Sequence, residues 1–491
     1  MTQKSYLAFD LGAESGRAIL ARLEDGLVRM EEIHRFANTP LAEAGTLRWD
    51  VQGLWSQMRH ALSLAGHTPL SGIAVDSWGV DYALLGAEGQ LLENPYHYRD
   101  ARNVPAMADA LAIVPGDEMY AATGVQLMPI NTVYQLFAAS RQTPSMLDAA
   151  HRFVMIPDLF NYWLTGEVRC EYTDASTTQL MNPRTRTWAA DLMERLHLPS
   201  RLAAPIVEAG SIIGPLRADV AADGALAGTP VVASASHDTA SAVAAITARD
   251  GTAFISSGTW SLVGTELDEP VLTPRAMRLN FSNEGGVAGT TRLLKNVMGL
   301  WLLQGCRRSW AQQSREFTYG DLMDAAAREP ALRHLIDPDD PSFANPDDMP
   351  DAIDRFCRRT DQPTPSTPGR YARAVFDSLA MKYRLVIRDL QSVVERPIAR
   401  IRIIGGGSRN ALLNQLTADA TGVPVVAGPV EATALGNVAV QMLATGAAAS
   451  LAEARAIIDR SAATTVFTPR DVDAWNQEAT RFQQYCGFLY A

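Results

Sequence analysis

Two stretches of the sequence share one order of features: an apolar strand, a turn of small residues and a second strand. The first runs from Tyr6 to Leu23 around a glycine turn at 12–16, and the second occupies 251–264. A third β-type run at 27–36 follows the first stretch, which predicts an antiparallel meander at the N-terminus. Helical sequence follows both stretches, and a further strand follows at 73–76 and at 400–404. Since 491 residues suffice for two or more domains, the pattern predicts an α/β protein with two lobes of the same topology.

Local signals predict several further elements. Asp50 is the expected N-cap of a helix whose apolar residues recur every four positions, beginning at Leu54. Long helices are predicted near 296–313 and 369–394. The segment between them, 314–368, is rich in Pro and Asp, and we expect it to form surface excursions from the second lobe.

The composition argues against several classes of protein. With 43 basic and 54 acidic residues the formal net charge is −11, and the chain has no Lys- or Arg-rich run, so no nucleic-acid partner is expected. The four cysteines form no CxxC pair, which argues against a disulfide framework or a zinc knuckle. No apolar run could cross a bilayer and no leader precedes Asp10, so no membrane partner is expected. These features predict a cytoplasmic protein, either a monomer or a homodimer.

Asp10 ends the first strand beside the glycine turn. Backbone N–H groups of such a turn suit phosphate oxygens, because glycine places no Cβ in the way. A carboxylate at this place would repel phosphates unless a divalent cation lay between them, so Asp10 would imply Mg²⁺, bound through water. A hairpin in which Asp10 only hydrogen-bonds the loop explains the same residues equally well. The chain has no Gly-Lys pair, which excludes a P-loop.

A second carboxylate, Asp238, follows an apolar strand at 231–235 and begins an alanine-rich helix. It is an N-cap, a catalytic base, or both, since a helix N-terminus stabilises the charged form of a carboxylate. A weak base suits phosphoryl transfer, in which the base mainly orients a hydroxyl and takes its proton late. His237 beside it is either a structural histidine or a contact to a substrate oxygen.

Trp78, Gly79 and Asp81 follow the strand at 73–76. An indole face against C–H groups, with a carboxylate that accepts from hydroxyls, is a combination typical of sugar sites. A turn with a packed Trp78 is the alternative. In the second lobe, three glycines at 405–407 lie between a strand and a helix, where they would let the backbone approach a flat ring or a ribose closely.

Together these segments resemble the FGGY family of carbohydrate kinases over nearly the whole chain. The segments that carry the resemblance are 10–17, 49–51, 76–81, 98–102, 236–240, 256–261, 283–286, 294–304, 404–408 and 427–432. The resemblance implies two actin-like, ribonuclease-H-like domains that face each other across a catalytic cleft and bind ATP and a ketose. It assigns the sugar site and the first phosphate turn to residues 1–246, the second phosphate turn and the adenosine site to 247–455, and a helical tail to 456–491.

The resemblance also implies a reaction and its residues. The expected reaction transfers the γ-phosphate of ATP to the 1-hydroxyl of L-rhamnulose, in L-rhamnose catabolism. L-Fuculose or L-xylulose would be alternative acceptors, and an actin-like ATPase without sugar turnover is the alternative of another class. Asp238 would accept the proton, and Mg²⁺ would be the cofactor, held through Asp10. Contacts to ATP are expected from Ala13, Glu14, Ser15, Gly16, Arg17, Thr259, Gln304 and Gly406. Contacts to the sugar are expected from Gly79, His237, Asp238, Thr239 and Asn296, with Trp78 and Asp81 added from their residue chemistry.

Two of these residues stand apart from the rest. Asn296 would otherwise be a helix N-cap, and it gains a role in sugar binding only through the resemblance. Glu14 occupies a place where a small residue is expected, and it either points outward or contributes to the metal site.

Overall fold

The computed structural model describes residues 4–66, 68–221 and 226–486, which form two compact units. The first unit extends to Thr247 and also contains Glu266–Leu293 and Ala432–Ala462. The second contains Ala248–Thr265, Leu294–Glu431 and the chain from Ala463 onward. Neither unit is one continuous segment, so the units differ from the linear division into 1–246, 247–455 and 456–491.

The first part of the chain, up to residue 247, contains most elements of the first unit. Its strands are β1 (Lys4–Leu11), β2 (Ser15–Glu24), β3 (Leu27–Ala37), β4 (Leu41–Glu43), β5 (Thr46–Arg48), β6 (Gly72–Ser77), β7 (Tyr82–Leu85), β8 (Arg152–Met155), β9 (Cys170–Glu171), β10 (Met181–Asn182), β11 (Thr187–Trp188), β12 (Ile206–Val207), β13 (Ile212–Pro215) and β14 (Pro230–Val232). Its helices are α1 (Val51–Ala65), α2 (Asn103–Ile113), α3 (Gly116–Thr123), α4 (Thr132–Gln142), α5 (Pro144–Ala149), α6 (Ile156–Thr165), α7 (Tyr172–Ala175), α8 (Ala190–Arg195) and α9 (Asp238–Ala244).

The remaining elements follow in the same way. The strands are β15 (Thr252–Ser257), β16 (Trp260–Leu267), β17 (Ser282–Gly285), β18 (Thr291–Met298), β19 (Arg400–Ile404), β20 (Val425–Ala427) and β21 (Thr465–Phe467). The helices are α10 (Pro274–Arg278), α11 (Trp301–Gln312), α12 (Tyr319–Ala327), α13 (Met349–Arg359), α14 (Pro368–Val394), α15 (Ala411–Thr421), α16 (Ala432–Ala444), α17 (Leu451–Ser461) and α18 (Val472–Tyr485).

The first unit is built on a six-stranded sheet with the order β13-β14-β6-β1-β2-β3. β1 pairs with β2 in antiparallel and with β6 in parallel orientation, and β2 pairs with β3 in antiparallel orientation. This confirms the predicted meander at the N-terminus. Because β1 lies inside the sheet, its residues from Ser5 to Leu11 are all buried, including Asp10.

Helix α1 begins as the sequence predicts. Asp50 is its N-cap, and the carboxylate accepts a hydrogen bond from Gly53 N at 2.8 Å. Leu54, Met58 and Leu62 are buried on one face of the helix.

Helices α9 and α16 pack against each other at very close range within the first unit. A Cβ on Gly436 of α16 would lie 1.6 Å from the carbonyl oxygen of Ser241 on α9, so only glycine permits this approach. Ala240, Ala244 and Val440 of the two helices share one buried cluster with Ala74 of β6. The start of α9 is thereby fixed against the sheet.

The second unit repeats this topology. β15 pairs with β16 in antiparallel and with β19 in parallel orientation, as β1 does with β2 and β6. β19 continues the parallel order with β20, and β21 pairs with β20 in antiparallel orientation. The predicted two-lobed α/β fold is therefore confirmed.

Two local predictions in the second lobe are wrong. The helix predicted near 296–313 begins only at Trp301, because 291–298 is strand β18, and Asn296 is therefore not a helix N-cap. The segment 314–368 is not a set of surface excursions, since it contains α12 and α13 and buries residues such as Phe343. Some of its Asp and Pro residues begin a helix: Asp348 caps α13, and Pro350 lies in the first turn of that helix.

Among the described residues, no helix has both the length and the apolar character needed to span a membrane.

Candidate active site

Three charged side chains lie side by side near the carboxyl ends of β1 and β6. In the sheet register Asp10 stands between Arg17 of β2 and Asp76 of β6. Arg17 Nη2 donates to Asp10 Oδ2 in an ion pair. Asp76 is fully buried, and its Oδ2 accepts from Asn437 Nδ2 of α16 at 2.6 Å. The other oxygen, Asp76 Oδ1, is buried and has no hydrogen-bond partner among the described residues.

Asp76 has an unusual electrostatic environment. Its burial and the charges of Asp10 and Asp238 together raise the pKa of Asp76 well above its usual value, although the hydrogen bond from Asn437 acts against this. The three carboxylates therefore form one interacting acidic cluster. Sequence analysis missed Asp76 as a site residue, although its place at the end of a strand parallel to β1 was a usable signal.

The glycine turn after Asp10 is fixed by backbone contacts. Gly12 N donates to Ser15 O at 2.9 Å, and Asn38 N donates to Glu14 O at 3.0 Å. A Cβ on Gly16 would lie 2.2 Å from the ring of Phe36, so the second glycine is required for close packing. Glu14 is exposed at this turn, whereas Arg17 is partly buried.

Asp238 is the first residue of α9, and the prediction that its side chain caps this helix is wrong. The N-cap position is His237, and no side chain caps the helix. Instead, Thr239 Oγ1 donates to Asp238 Oδ1 at 3.1 Å. The Asp238 side chain is 34% exposed, whereas His237 next to it is buried. A carboxylate in the first turn of a helix, in reach of solvent, is suited to accept a hydrogen bond from a ligand.

His237 is positioned by the end of β6. Ser77 N donates to Ser236 O at 2.8 Å, and Ser77 and His237 form an isolated parallel bridge. The same sheet that aligns Asp10 with Asp76 therefore also fixes His237 and Asp238.

Asp81 is surrounded by protein donors. Its Oδ2 accepts from Trp49 Nε1 at 2.5 Å, from Trp78 Nε1 at 3.0 Å and from Tyr98 N at 3.2 Å, and its Oδ1 accepts from Gln135 Nε2 at 2.8 Å. Burial raises the pKa of Asp81 to about 7 in spite of these donors. Trp78 itself is 5% exposed and packs on Trp49, with ring centroids 4.2 Å apart. This arrangement favours Asp81 as a support for Trp78 over direct contact with a ligand.

The loop between β6 and β7 has a strained backbone. Val80, a β-branched residue, has a φ of 68°, a left-handed conformation that such residues rarely adopt. Hydrogen bonds hold it there: Val80 N donates to Thr177 Oγ1 at 3.0 Å, and Val80 O accepts from Thr132 Oγ1 at 2.6 Å. Gly79 packs on the same Thr177, whose side chain would lie 3.0 Å from a Cβ on Gly79.

In the second unit, the β15–β16 turn is tied to the start of α11. Gln304 Nε2 donates to Thr259 Oγ1 at 3.3 Å. The carbonyl oxygen of Thr259 accepts from Gly299 N at 3.0 Å and from Trp301 N at 3.2 Å. Two of the expected ATP contacts, Thr259 and Gln304, are thus brought together. Strand β18 crosses from the first unit into the second at residue 294, and Asn296 lies in the second-unit part of it, where it is partly buried.

The three glycines after β19 differ in their surroundings. Gly405 has a φ of 80°, and a Cβ on Gly407 would lie 2.0 Å from Ser257 Oγ. A Cβ on Gly406, in contrast, would meet no atom within 4 Å. Asn410 caps the following helix, α15, by accepting from Leu413 N at 3.0 Å. Gly406 is therefore the glycine whose backbone faces open space.

Models of both domains of a known family match the chain. The N-terminal domain of the FGGY family of carbohydrate kinases matches residues 5–245, and the C-terminal domain matches residues 253–445.

Full-length relatives and solved structures agree with this match. A rhamnulokinase of Bacteroides thetaiotaomicron is 43% identical over 98% of this chain and 99% of its own, and one of Bacillus subtilis is 38% identical over 95% and 96%. The xylulose kinase structure from Lactobacillus acidophilus superposes with a TM-score of 0.79 at 18% identity, over 99% of this chain and 97% of its own. The Plasmodium falciparum glycerol kinase with ADP gives a TM-score of 0.76 at 14% identity, over 99% and 98%. With both family domains matched in order along the chain, the protein belongs to the FGGY family of carbohydrate kinases.

Proposed function

We propose that this kinase transfers the γ-phosphate of ATP to the 1-hydroxyl of L-rhamnulose, giving ADP and L-rhamnulose 1-phosphate in L-rhamnose catabolism. The observation that carries the proposal is the geometry at Asp238, a partly exposed carboxylate at the start of α9 whose charge acts on Asp76 at the end of β6. The rhamnulokinases that are 38–43% identical over nearly the whole chain support L-rhamnulose as the acceptor.

Asp238 is the proton acceptor in this reaction. Its carboxylate accepts a hydrogen bond from the 1-hydroxyl and turns the oxygen lone pair toward the γ-phosphorus of ATP. As the new P–O bond forms and the bond to the ADP oxygen breaks, the hydroxyl proton passes to Asp238. A carboxylate suits this step because the loose transition state requires orientation more than strong basicity.

The acidic cluster fits a divalent cation that is reached through water. Asp76 Oδ1 is buried without a hydrogen-bond partner among the described residues, and the nearby charges of Asp10 and Asp238 help to raise the pKa of Asp76. Within the described ranges, however, no three His, Cys, Asp or Glu side chains are placed to ligate an ion together. Asp10 would therefore hold Mg²⁺ through water, and the ion would neutralise charge on the ATP phosphates. The exposure of Glu14 supports the outward alternative for that residue.

We propose ligand contacts for residues of each unit. In the first unit, residues Ala13, Ser15, Gly16 and Arg17 would contact the phosphates, and Gly79, His237 and Thr239 would contact the sugar. In the second unit, Thr259, Gln304 and Gly406 would contact ATP and Asn296 would contact the sugar. We further propose a cytoplasmic enzyme, a monomer or a homodimer, without a nucleic-acid or membrane partner.

The experiment is a coupled assay of ADP release with L-rhamnulose, L-fuculose, L-xylulose, D-xylulose, L-ribulose and glycerol, ranked by kcat/KM. We expect L-rhamnulose to lead. A hydroxyl of the wrong configuration leaves buried polar groups unpaired and is rejected strongly, whereas a change at carbon 6 alone costs only about 1–3 kcal/mol. If another ketose leads by about tenfold or more, the substrate is wrong and the kinase activity stands. ADP release that no ketose stimulates would favour an actin-like ATPase.

A further inference from the structure

Two buried charged residues of the first unit, one on β17 and one at the start of β18, lie close to the Nδ1 atom of the His237 ring. Arg292 is fully buried and Glu284 is 4% exposed. Arg292 Nη2 lies 3.1 Å from His237 Nδ1 and 3.3 Å from Glu284 Oε2. Glu284 Oε2 also lies 3.4 Å from His237 Nδ1. The Nδ1 atom therefore faces a cationic donor and an anionic acceptor at once.

The guanidinium decides which of these two partners Nδ1 uses. A guanidinium has only donors and keeps its charge in proteins, so a proton on Nδ1 would point at an N–H group of Arg292. Nδ1 therefore accepts from Arg292, which is also the nearer partner. Arg292 cannot turn away easily, because its Nε donates to Gly285 O at 2.8 Å. With Nδ1 as an acceptor, the neutral imidazole of His237 carries its proton on Nε2.

That proton faces the proposed base. His237 Nε2 lies 3.4 Å from Asp238 Oδ1, the same oxygen that accepts from Thr239 Oγ1 at 3.1 Å. Thr239 donates a hydrogen bond to Oδ1, whereas His237 Nε2 lies near the same oxygen without a hydrogen bond in this structure; none of the described residues donates to Asp238 Oδ2. The carboxylate thus has one oxygen engaged by the protein and one oxygen left for a hydroxyl of the substrate.

We infer that Arg292 is a positioning residue for phosphoryl transfer, acting through His237. It holds His237 with the proton on Nε2, and this N–H group, with Thr239, fixes Asp238 so that Oδ2 meets the acceptor hydroxyl. Glu284 makes Arg292 necessary, because without the guanidinium the carboxylate of Glu284 would favour the tautomer with the proton on Nδ1, from which it could accept a hydrogen bond. The inference rests on the proposed role of Asp238 as base.

The first test needs no substitution in this network. In the enzyme labelled with ¹⁵N-histidine, the signals of His237, assigned through His237→Gln, report which ring nitrogen is protonated. We expect Nδ1 without a proton and Nε2 with one. A protonated Nδ1 in the wild-type enzyme would overturn the inference, whatever the activity.

The second test compares Arg292→Met with Arg292→Lys. In Arg292→Met the donor to Nδ1 is lost, so we expect the ring proton to move to Nδ1. We also expect kcat to fall by roughly 10- to 100-fold, which is the order of loss when a catalytic group is misplaced by about 1 Å. The KM for ATP should stay within about twofold. The ammonium group of lysine supplies N–H donors from a single nitrogen and should restore part of kcat. If Arg292→Met does not fold, the wild-type spectrum and Arg292→Lys still decide.

A matched control separates positioning from stability. Arg373→Met in the second unit also removes a buried arginine, one that pairs with Asp377 at 2.8 Å, and leaves a buried carboxylate behind. It should lower the melting temperature but leave kcat and the His237 signals unchanged. An equal loss of kcat in both variants would contradict the inference.

Asp238→Asn is measured in parallel, so that failure of the proposed base can be told apart from failure of the role of Arg292. If Asp238→Asn stays active, the proposed base is wrong. If Asp238→Asn is inactive and Arg292→Met is fully active, only the role of Arg292 is rejected.

Discussion

At the scale of single residues, environment decides what each carboxylate can do. Asp81 and Asp238 are both acidic residues that follow a strand, yet Asp81 is fully buried among indole and amide donors. Asp238 is 34% exposed; Thr239 donates to its Oδ1, and His237 Nε2 lies 3.4 Å from the same oxygen. The Asp81 carboxylate therefore binds only protein donors, whereas Asp238 has an oxygen available to a ligand.

Replacement of Asp238 by Asn tests this assignment. The substitution keeps the shape and the hydrogen bond to Thr239 but removes the proton acceptor, so turnover should fall by about 10²–10⁴-fold. The loss of charge in the first turn of α9 should change the free energy of unfolding by no more than about 1 kcal/mol. Steady-state kinetics and thermal unfolding measure the two effects. Near-normal turnover would show that another group accepts the proton.

At the scale of elements, a buried glutamate connects helix α7 to the segment before α9. Glu171 is the N-cap of α7, and its carboxylate accepts from Thr173 N and from Ser236 N, both at 2.9 Å. Burial raises the pKa of Glu171 to about 7, although these donors act against the shift. The folded protein therefore binds a proton here more tightly than the unfolded chain does.

This shift predicts a pH-dependent stability. Because the folded pKa is raised, the contribution of Glu171 is fully present below its unfolded value of 4.5 and is lost as the pH rises through about 7. Glu171→Gln removes it, so the wild-type protein should lose its stability advantage over the variant between about pH 5 and about pH 8. The expected change is on the order of 1 kcal/mol per pH unit at most. Urea unfolding at both pH values measures it, and a difference that does not vary with pH would contradict the prediction.

The glycines after β19 allow a matched pair of substitutions. Gly407→Ala should destabilise the second unit, because the new Cβ would lie 2.0 Å from Ser257 Oγ. Gly406→Ala should leave the melting temperature nearly unchanged, because no atom lies within 4 Å of its Cβ. If ATP occupies the open space at Gly406, that variant should raise the KM for ATP. Calorimetry with Mg-ATP measures the affinity, and unchanged binding in Gly406→Ala would remove Gly406 from the ATP site.

At the scale of the whole molecule, the chain enters the first unit three times. Residues Glu266–Leu293 and Ala432–Ala462 belong to it together with the N-terminal part. Helix α16 supplies Asn437 as the partner of Asp76, and Gln441 Nε2 donates to Leu7 O of β1 at 3.2 Å. The first unit is therefore completed by residues that follow most of the second unit in the sequence.

A fragment of residues 1–246 should consequently fail to fold alone. It lacks α16, so Asp76 loses its partner and the cluster around Ala74 is exposed to water. We expect a protein without a cooperative thermal transition and with rapid proteolysis, compared with the full chain as control. A soluble fragment with a cooperative transition would show that the N-terminal segment is an independent domain.

The sequence by itself determined the fold class, because the patterns involved are local. Apolar strands, glycine turns and the cap at Asp50 depend on neighbours within a few residues, and they predicted the meander of β1 to β3 and the pair β15 and β16. The order of motifs along the chain then indicated the family. The same local signals failed for part of 314–368, where Asp348 and Pro350 begin helix α13 instead of forming a loop.

Only the tertiary structure decided which of these residues meet. Asp76 joins Asp10 because a parallel strand pair sets them side by side, and Asn437 reaches them from 361 positions away. Arg292 and Glu284 meet His237 through neighbouring strands, a contact that carries no signal in the sequence around His237. Burial and charge act through space, so the partners of a side chain, and with them its protonation and its role, follow from the folded chain and not from its neighbours in sequence.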